Sequence, residues 1–208
     1  MMYRIEKVLN HNTVMAIHQD DHKEVLIMGK GVGFGRKVAE RIEVRPEDRL
    51  YSLQKYKERG GAKEIVKSIA PEFLEVTNAV LDEAEKIFGK IDRMVLFPLA
   101  DHIAFAVKRI QNHEQISNPL TEDIRVLFHM EFKAAESIRP LLQKQFGIDI
   151  EDDEVGYVAL HIHSAIEDEK VSQAMQMARS VRECISMVEE AIGKPIDIAS
   201  LSLSLIHI

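Results

Sequence analysis

The stretch from residue 24 to residue 37 reads EVLIMGKGVGFGRK, and it decides how the first part of the chain is interpreted. Its first five residues are rich in Val, Leu and Ile, which is typical of a β-strand. Four glycines then follow within seven residues, and glycine permits a positive φ and a close approach of the backbone to a ligand. The sequence therefore predicts a strand that ends in a glycine-rich turn.

Strand-like segments flank this stretch on both sides. They are short, partly alternating and separated by Asn, Asp, Gly or Pro, and the pairs His11-Asn12 and Asp20-Asp21 suit turns because Asn and Asp tolerate left-handed backbone. The segments are Tyr3–Leu9, Thr13–Ile17, Glu24–Met28 and Arg49–Leu53. They predict a four-stranded antiparallel β module over residues 1–54, followed by a linker over residues 55–62.

After Gln54 the spacing of apolar residues lengthens to that of helices. Pro71 and Gly89 frame the first of them, Glu72–Phe88, as expected for Pro near a helix start and Gly just past its end. Further helices are predicted at Met94–Gln111, Ile124–Phe146, Asp153–Ile166 and Val171–Ile192. The fold class is thus α+β and multidomain, with a small β module followed by helices.

Composition restricts the classes of protein to which the chain can belong. Its 208 residues suffice for one large or two small domains. A single cysteine, Cys184, permits neither an internal disulfide nor a cysteine-based zinc site, which indicates a reducing compartment. The apolar runs are too short to span a bilayer, and the charged N-terminus is unlike a signal peptide. We therefore expect a soluble, cytoplasmic protein.

Charge changes sign along the chain. The net charge is −7, yet residues 1–54 carry nine basic and eight acidic side chains, so that the acidity lies in the remaining residues. This asymmetry predicts two modules with different partners. The first module permits an anionic partner without requiring one.

The glycine-rich stretch fits neither common nucleotide-phosphate motif. A dinucleotide fingerprint beginning at Gly29 would need glycine where Phe34 stands, and the Gly-Lys-Ser/Thr that ends a P-loop is missing. The aromatic ring, the cations and the open backbone instead suit splayed RNA bases. The candidate RNA-binding residues are Asn10, Asn12, Gly29, Lys30, Gly31 and Phe34, with Lys7, Arg36 and Lys37 as phosphate contacts. The alternative is an ordinary glycine-rich turn with solvated lysines.

Two histidine-containing segments stand out in the helical part. In LADHIAFAVKR, residues 99–109, His102 and Arg109 share a helix face and Asp101 is adjacent to the histidine in sequence. In EVGYVALHIHSA, residues 154–165, His161 and His163 point about 200° apart on a helix, so a shared metal ion is not expected. Ordinary packed core histidines are the alternative for both segments.

Two runs identify the first module by resemblance. The runs RIEKVLNHNTV, residues 4–14, and EVLIMGKGVGFGRK resemble the co-antiterminator (CAT) RNA-binding domain of the BglG/SacY family of transcriptional antiterminators. The glycines at 33 and 35 are similar to those of its glucose-responsive, GlcT-like branch. The resemblance implies a small antiparallel sheet that dimerises face to face and clamps an RNA hairpin.

The two histidine segments resemble the signature segments of a PTS regulation domain, the all-α helical-bundle domain that follows the RNA binder in that family. By position, His102 and His161 match its phosphorylatable histidines, with Asp101 and Arg109 in the surroundings of the phosphohistidine; the role of His163 stays open. The resemblance implies a sugar-specific PTS permease or the phosphocarrier HPr as phosphoryl donor. A phosphoryl group adds enough charge to repack a dimer interface.

The C-terminal part departs from the family pattern of two PTS regulation domains. Residues 63–170 would form the first, whereas residues 171–208 would begin a second and then stop. The closing LSLIHI, residues 203–208, resembles a translated sequencing adapter. We therefore expect a longer natural chain and assign no function to His207.

Together these features predict a homodimeric, non-enzymatic antiterminator that binds a leader-mRNA hairpin, prevents terminator formation and responds to PTS-dependent histidine phosphorylation at a glucose-type operon. No DNA, cofactor, metal or membrane insertion is expected. The alternative is a dimeric phosphorylation sensor that binds a partner protein instead of RNA. A hydrolase using His161 or His163 would need a nucleophile, a base and an orienting acid, a set that the sequence does not show.

Overall fold

The computed structural model describes residues 1–54, 61–114, 116–167 and 169–197, so the closing segment over residues 203–208 lies outside it. Contacts between Cα atoms divide the chain into two compact units. The first consists of Met1–Glu75 and Leu96–Ala104, and the second of Val76–Val95 and Phe105–Ile208. Each unit has its own core and is described by itself below.

The first unit is built on an antiparallel five-stranded sheet with the order β4-β1-β2-β3-β5. The strands are β1 (Met2–Asn10), β2 (Thr13–His18), β3 (Glu24–Met28), β4 (Arg41–Glu43) and β5 (Arg49–Ser52). The four predicted strands are present, but the prediction of a four-stranded sheet is wrong because it missed β4. That strand pairs with the start of β1 over only three residues, too few for an alternating pattern to be recognised.

Alternation along the strands produces the core of the sheet. On β1 the side chains of Tyr3 and Ile5 are buried, whereas those of Arg4 and Glu6 are exposed. The buried face collects residues from four strands and from the turn after β3, and each buried Val or Ile among them stabilises the fold by about 1.5–3 kcal/mol. Its members are Tyr3, Ile5, Val14, Ala16, Val25, Ile27, Val32 and Ile42.

A short helix that the sequence analysis did not foresee, α1 (Gly61–Ser68), completes the first unit together with the beginnings of α2 (Pro71–Phe88) and α3 (Leu96–Gln111). Lys63 on α1 forms an ion pair with Glu24 on β3, and the hydrogen bond in this pair raises the pKa of the lysine. Of the predicted linker, residues 55–60 lie outside the described residues.

Helices build the second unit, and they follow the predictions except in one segment. A 3-10 turn, Arg93–Val95, precedes α3, and the C-terminal helices are α7 (Asp152–Glu167) and α8 (Val171–Ile192). The predicted single helix Ile124–Phe146 is wrong. Three helices occupy that segment, namely α4 (Thr121–Leu127), α5 (His129–Ala135) and α6 (Ile138–Phe146).

Backbone and side-chain effects explain why this segment is interrupted. Phe128 has φ −115° and ψ 47°, outside the helical region, and separates α4 from α5. Glu136 and Ser137 separate α5 from α6, and the Ser137 hydroxyl donates to the Ala134 carbonyl at 2.7 Å. Such a bond competes with the regular helical pattern.

Candidate RNA interface and histidine sites

Two turns dock against each other at one end of the sheet. They are the turn between β1 and β2, residues 11–12, and the glycine-rich turn that follows β3, residues 29–35. Three backbone N–H groups of the second donate to the first, each at 2.9 Å: Gly29 to the Asn12 carbonyl, Gly33 to the His11 carbonyl and Gly31 to Asn12 Oδ1. The predicted RNA-binding segments therefore form one continuous surface, which we call the two-turn surface.

Two glycines are required by the geometry of this surface. Gly31 has φ +72°, a left-handed conformation that side chains rarely adopt. A Cβ atom on Gly33 would lie 2.2 Å from the carbonyl oxygen of Asn10, closer than any real contact. The glycines thus permit the two turns to approach each other.

Phe34 is the exposed aromatic residue of the two-turn surface. Its side chain is 68% exposed, and its ring meets the ring of His11 edge to face, with 5.2 Å between the centroids. An exposed ring with one side held in place offers its other side to a stacking partner such as a nucleobase.

The side-chain amide of Asn10 is held at both ends. Its Oδ1 accepts a hydrogen bond from the Asn12 backbone N–H at 2.9 Å, and its Nδ2 donates to Glu75 Oε1 on α2, also at 2.9 Å. Nδ2 carries two N–H donors, and a base edge that uses the one bound to Glu75 would have to replace the carboxylate.

The predicted phosphate contacts are exposed but not equally available. Lys7, on β1, and Lys37 are exposed, as is Lys30 in the two-turn surface. Arg36 forms an ion pair with Glu40, and its hydrogen bond lowers the pKa of that carboxyl. Phosphate would have to compete with Glu40 for the Arg36 guanidinium.

Three residues that were not predicted support the two-turn surface: Arg45, Asp48 and Glu75. Arg45 Nη2 donates to the Lys30 carbonyl at 2.8 Å, and it is paired with the buried Asp48. Glu75, as described, accepts from Asn10. These contacts join residues that are 15 and 65 positions apart. No recognisable motif contains Arg45, Asp48 or Glu75, so no sequence signal indicated these three residues.

His102 and its neighbour in sequence lie on α3, as predicted. The imidazole of His102 is half-buried, with its Nε2 atom enclosed by protein. Asp101 is exposed. Any group added at His102 Nε2 would therefore have to displace the atoms that enclose it.

His161 lies on α7 in the second unit and is 8% exposed, with its Nδ1 atom enclosed. In the same unit, Arg109 Nη2 lies 2.5 Å from Oε1 of the buried Glu154, and the guanidinium lies 6.0 Å from the centroid of the Phe105 ring. Glu154 and His161 are seven residues apart, which places them on one face of α7 about 10 Å apart along its axis. Arg109 thus has a carboxylate partner that the sequence analysis did not predict.

His163 points to a different environment. Its Nδ1 lies 3.0 Å from Glu131 Oε1, and its ring lies 4.4 Å from that of Phe128. The neighbouring Ser164 donates its hydroxyl to the His161 carbonyl at 2.9 Å, a bond within the helix. This arrangement gives the serine no histidine base and does not support a hydrolase.

Comparisons with known proteins agree with the geometry. The family model described as "CAT RNA binding domain" matches residues 3–60, and the one described as "PRD domain" matches residues 75–165. The GlcA/glcB genes antiterminator of Staphylococcus carnosus is 30% identical over 203 residues, which cover 96% of this chain and 70% of the relative. The chain belongs to the BglG/SacY family of transcriptional antiterminators. The resemblance found in the sequence is therefore confirmed.

Further relatives extend this assignment. The β-glucoside operon antiterminator of Dickeya chrysanthemi is 24% identical over 187 residues, 89% of this chain and 66% of the relative. The crystal structure of GlcT CAT-PRDI matches with a TM-score of 0.68 and 30% identity, covering 80% of this chain and 99% of that one. Members of the BglG/SacY family are RNA-binding regulators and not enzymes. Over the described residues, no helix is both long and apolar enough to cross a membrane.

Proposed function

We propose that this antiterminator binds a hairpin in leader mRNA through the two-turn surface and thereby prevents formation of an overlapping terminator. The observation that carries the proposal is the exposed Phe34, supported on a surface that cross-turn hydrogen bonds hold in shape. Such a surface combines a stacking platform with neighbouring lysines, as RNA recognition requires. The match to an RNA-binding domain favours RNA over a partner protein as the ligand.

The RNA-binding role is tested by a gel shift with a panel of candidate leader hairpins. Phe34→Ala should weaken binding of the best hairpin by about five- to 150-fold, because stacking on an aromatic ring is worth about 1–3 kcal/mol per base. Val38→Ala is the matched control, since Val38 is 64% exposed nearby in sequence and its removal deletes apolar surface without a ring. Equal affinity for Phe34→Ala and the wild type would refute the assignment.

The proposed regulation is phosphorylation of His102 and His161 by a sugar-specific PTS permease or by HPr. The enclosed ring atoms support a switch, because a phosphoryl group brings nearly two negative charges and three acceptor oxygens that a packed site cannot accept without rearrangement. In this proposal residues 1–54 are the RNA-binding domain, residues 63–170 the first PTS regulation domain and residues from 171 the start of a second. The active form is a cytoplasmic homodimer.

The sugar is proposed to be of the glucose type. The support comes from relatives named as the GlcA/glcB genes antiterminator and as GlcT, together with the crystal structure of GlcT CAT-PRDI. A panel of leader hairpins from different sugar operons would test the proposal. Preference for a β-glucoside leader would contradict it.

Phosphotransfer is tested by incubation with the purified PTS phosphorelay and mass spectrometry of the acid-labile label. The wild type should be labelled at His102, at His161 or at both, and the corresponding His→Ala variants should each lose one site. His113→Ala is the matched control because His113 is exposed and lies on the loop after α3. A protein that takes up no phosphoryl group at His102 or His161 would refute this part of the proposal.

A further inference from the structure

The turn between β4 and β5 contains a buried carboxylate. The side chain of Asp48 is 0% exposed, and three donors of one residue, Arg45, reach it. The backbone N–H and the Nε of Arg45 lie 2.9 and 3.1 Å from Oδ2, and its Nη2 lies 2.7 Å from Oδ1. A buried carboxylate is tolerated only when it is paired and hydrogen-bonded. Asp48 therefore fixes the guanidinium of Arg45 in one orientation.

Arg45 transmits this fixed orientation to the glycine-rich turn. Its Nη2 also donates to the Lys30 carbonyl at 2.8 Å. That carbonyl and the N–H of Gly31 belong to a single peptide unit, and the N–H donates to Asn12 Oδ1 at 2.9 Å. The peptide plane between Lys30 and Gly31 is therefore held at both edges.

Asp48 also explains the glycine at the start of this turn. A Cβ atom on Gly29 would lie 1.9 Å from Asp48 Oδ1 and 3.3 Å from Arg45 Nη2. Any larger residue would have to expel the carboxylate. The shape of the turn from Gly29 to Gly31 thus depends on the ion pair that lies behind it.

We propose that Arg45 and Asp48 are positioning residues for RNA binding, which preset the Lys30–Gly31 peptide in the orientation that the hairpin meets. The inference rests on the proposed RNA-binding function. Arg45 acts through the peptide and not as a phosphate contact, because its charge is matched by Asp48, and Glu47 Oε1 lies only 3.5 Å from its Nε. A preset backbone raises affinity because less freedom is lost on binding.

Two variants separate positioning from charge. Arg45→Lys keeps the positive charge but lacks the planar fork that reaches a carboxylate and a carbonyl together. The double variant R45Q/D48N removes both charges at once, so that no buried charge is left unpaired. Arg41→Lys is the matched control, because Arg41 is an exposed arginine on the neighbouring β4. We expect about a tenfold loss of affinity for the specific hairpin in the first two and no change in the control.

The salt dependence of binding distinguishes positioning from a loss of charge or of stability. For a positioning pair, both variants keep the wild-type slope of log K against log salt and the wild-type affinity for unrelated RNA. If Arg45 instead contacts phosphate, R45Q/D48N lowers the slope by about 0.7–0.9 and Arg45→Lys binds as the wild type does. Thermal melting in parallel identifies any variant that is not folded.

Amide hydrogen exchange on the full chain gives a second measurement that needs no RNA. The Gly31 amide should exchange faster in Arg45→Lys than in Arg41→Lys, because its peptide has lost one of two restraints. Wild-type hairpin affinity in both test variants would overturn the positioning role and leave the proposed function intact. A wild-type chain that binds no hairpin of the panel would overturn the proposed function, and the positioning role with it.

Discussion

The hydrogen bond between Asn10 and Glu75 should restrain RNA binding, and its removal is expected to increase the affinity of the chain for its hairpin. Nδ2 of Asn10 is 2.9 Å from Glu75 Oε1. Of its two N–H donors, the one that points to Glu75 is available to a base edge only after the carboxylate is displaced. The variant Glu75→Ala removes the acceptor and leaves the rest of the amide, including its bond to Asn12, in place. A competing contact of this kind reduces the fraction of molecules that are ready to bind.

The size of the effect follows from the environment of the pair. A hydrogen bond to a charged group contributes about 1.5–3 kcal/mol, but both side chains are half-buried and water competes for them. We therefore take the net contribution as about 1 kcal/mol, which corresponds to roughly a fivefold gain in hairpin affinity for Glu75→Ala.

The assay is a hairpin titration at fixed salt concentration, with Glu72→Ala as the matched control. Glu72 lies one turn earlier on α2, so its removal deletes the same charge while the bond between Asn10 and Glu75 stays intact. An equal gain in both variants would show that only the charge matters. A loss of affinity in Glu75→Ala would mean that the carboxylate helps to orient Asn10, and either result would refute the competition.

Three further changes have defined outcomes. Gly33→Ala should lower the melting temperature, because its Cβ would lie 2.2 Å from a backbone carbonyl; an unchanged melting temperature would show that the two turns can separate freely. Partial burial opposes ionisation of Asp152, but hydrogen bonds and charges from Arg125 and Arg139 outweigh it and lower its pKa. Its contribution to stability should therefore be lost as the pH falls below 4, and acid titration of Asp152→Asn should lack that loss. Burial raises the pKa of Asp123, so ionisation above that pKa costs stability, and Asp123→Asn should melt at a higher temperature at pH 7 but not at pH 3.

The sequence predicts the central strands well because their apolar residues alternate and polar turn residues separate them. Both signals are local, and β1, β2 and β3 begin and end within one residue of the predicted limits. The elements that were missed, β4 and α1, have three and eight residues. Three residues are too few to show alternation. The helix α1 does carry helical spacing, with Ala62, Ile65 and Val66 buried, but over only two turns, and a helix that short depends on the partner on which it packs.

The interrupted helix between residues 121 and 146 has a different cause. Apolar spacing continues across it, so the sequence alone indicates one long helix. The break at Phe128 is a change of backbone angles at a buried aromatic residue. Tertiary packing determines such a break, and no glycine or proline marks it.

Part of the candidate site could be predicted, because its residues lie close together in the sequence. Asn12, Gly31 and Phe34 belong to two short segments that a hairpin and its following turn bring together. The residues behind the surface could not be predicted. Arg45 and Glu75 act through hydrogen bonds to residues 15 and 65 positions away, which depend on how the sheet and α2 are placed within the first unit.

The two borders of the sheet have a consequence for assembly. The outer strands β4 and β5 span only three and four residues, and long exposed borders invite another chain to extend the ladder by backbone pairing. A strand added beside β4 or β5 would find few free backbone amides and carbonyls to pair with. We therefore expect any self-association of this sheet to use side chains on its faces, a mode in which point substitutions can weaken or abolish pairing without unfolding the protomer.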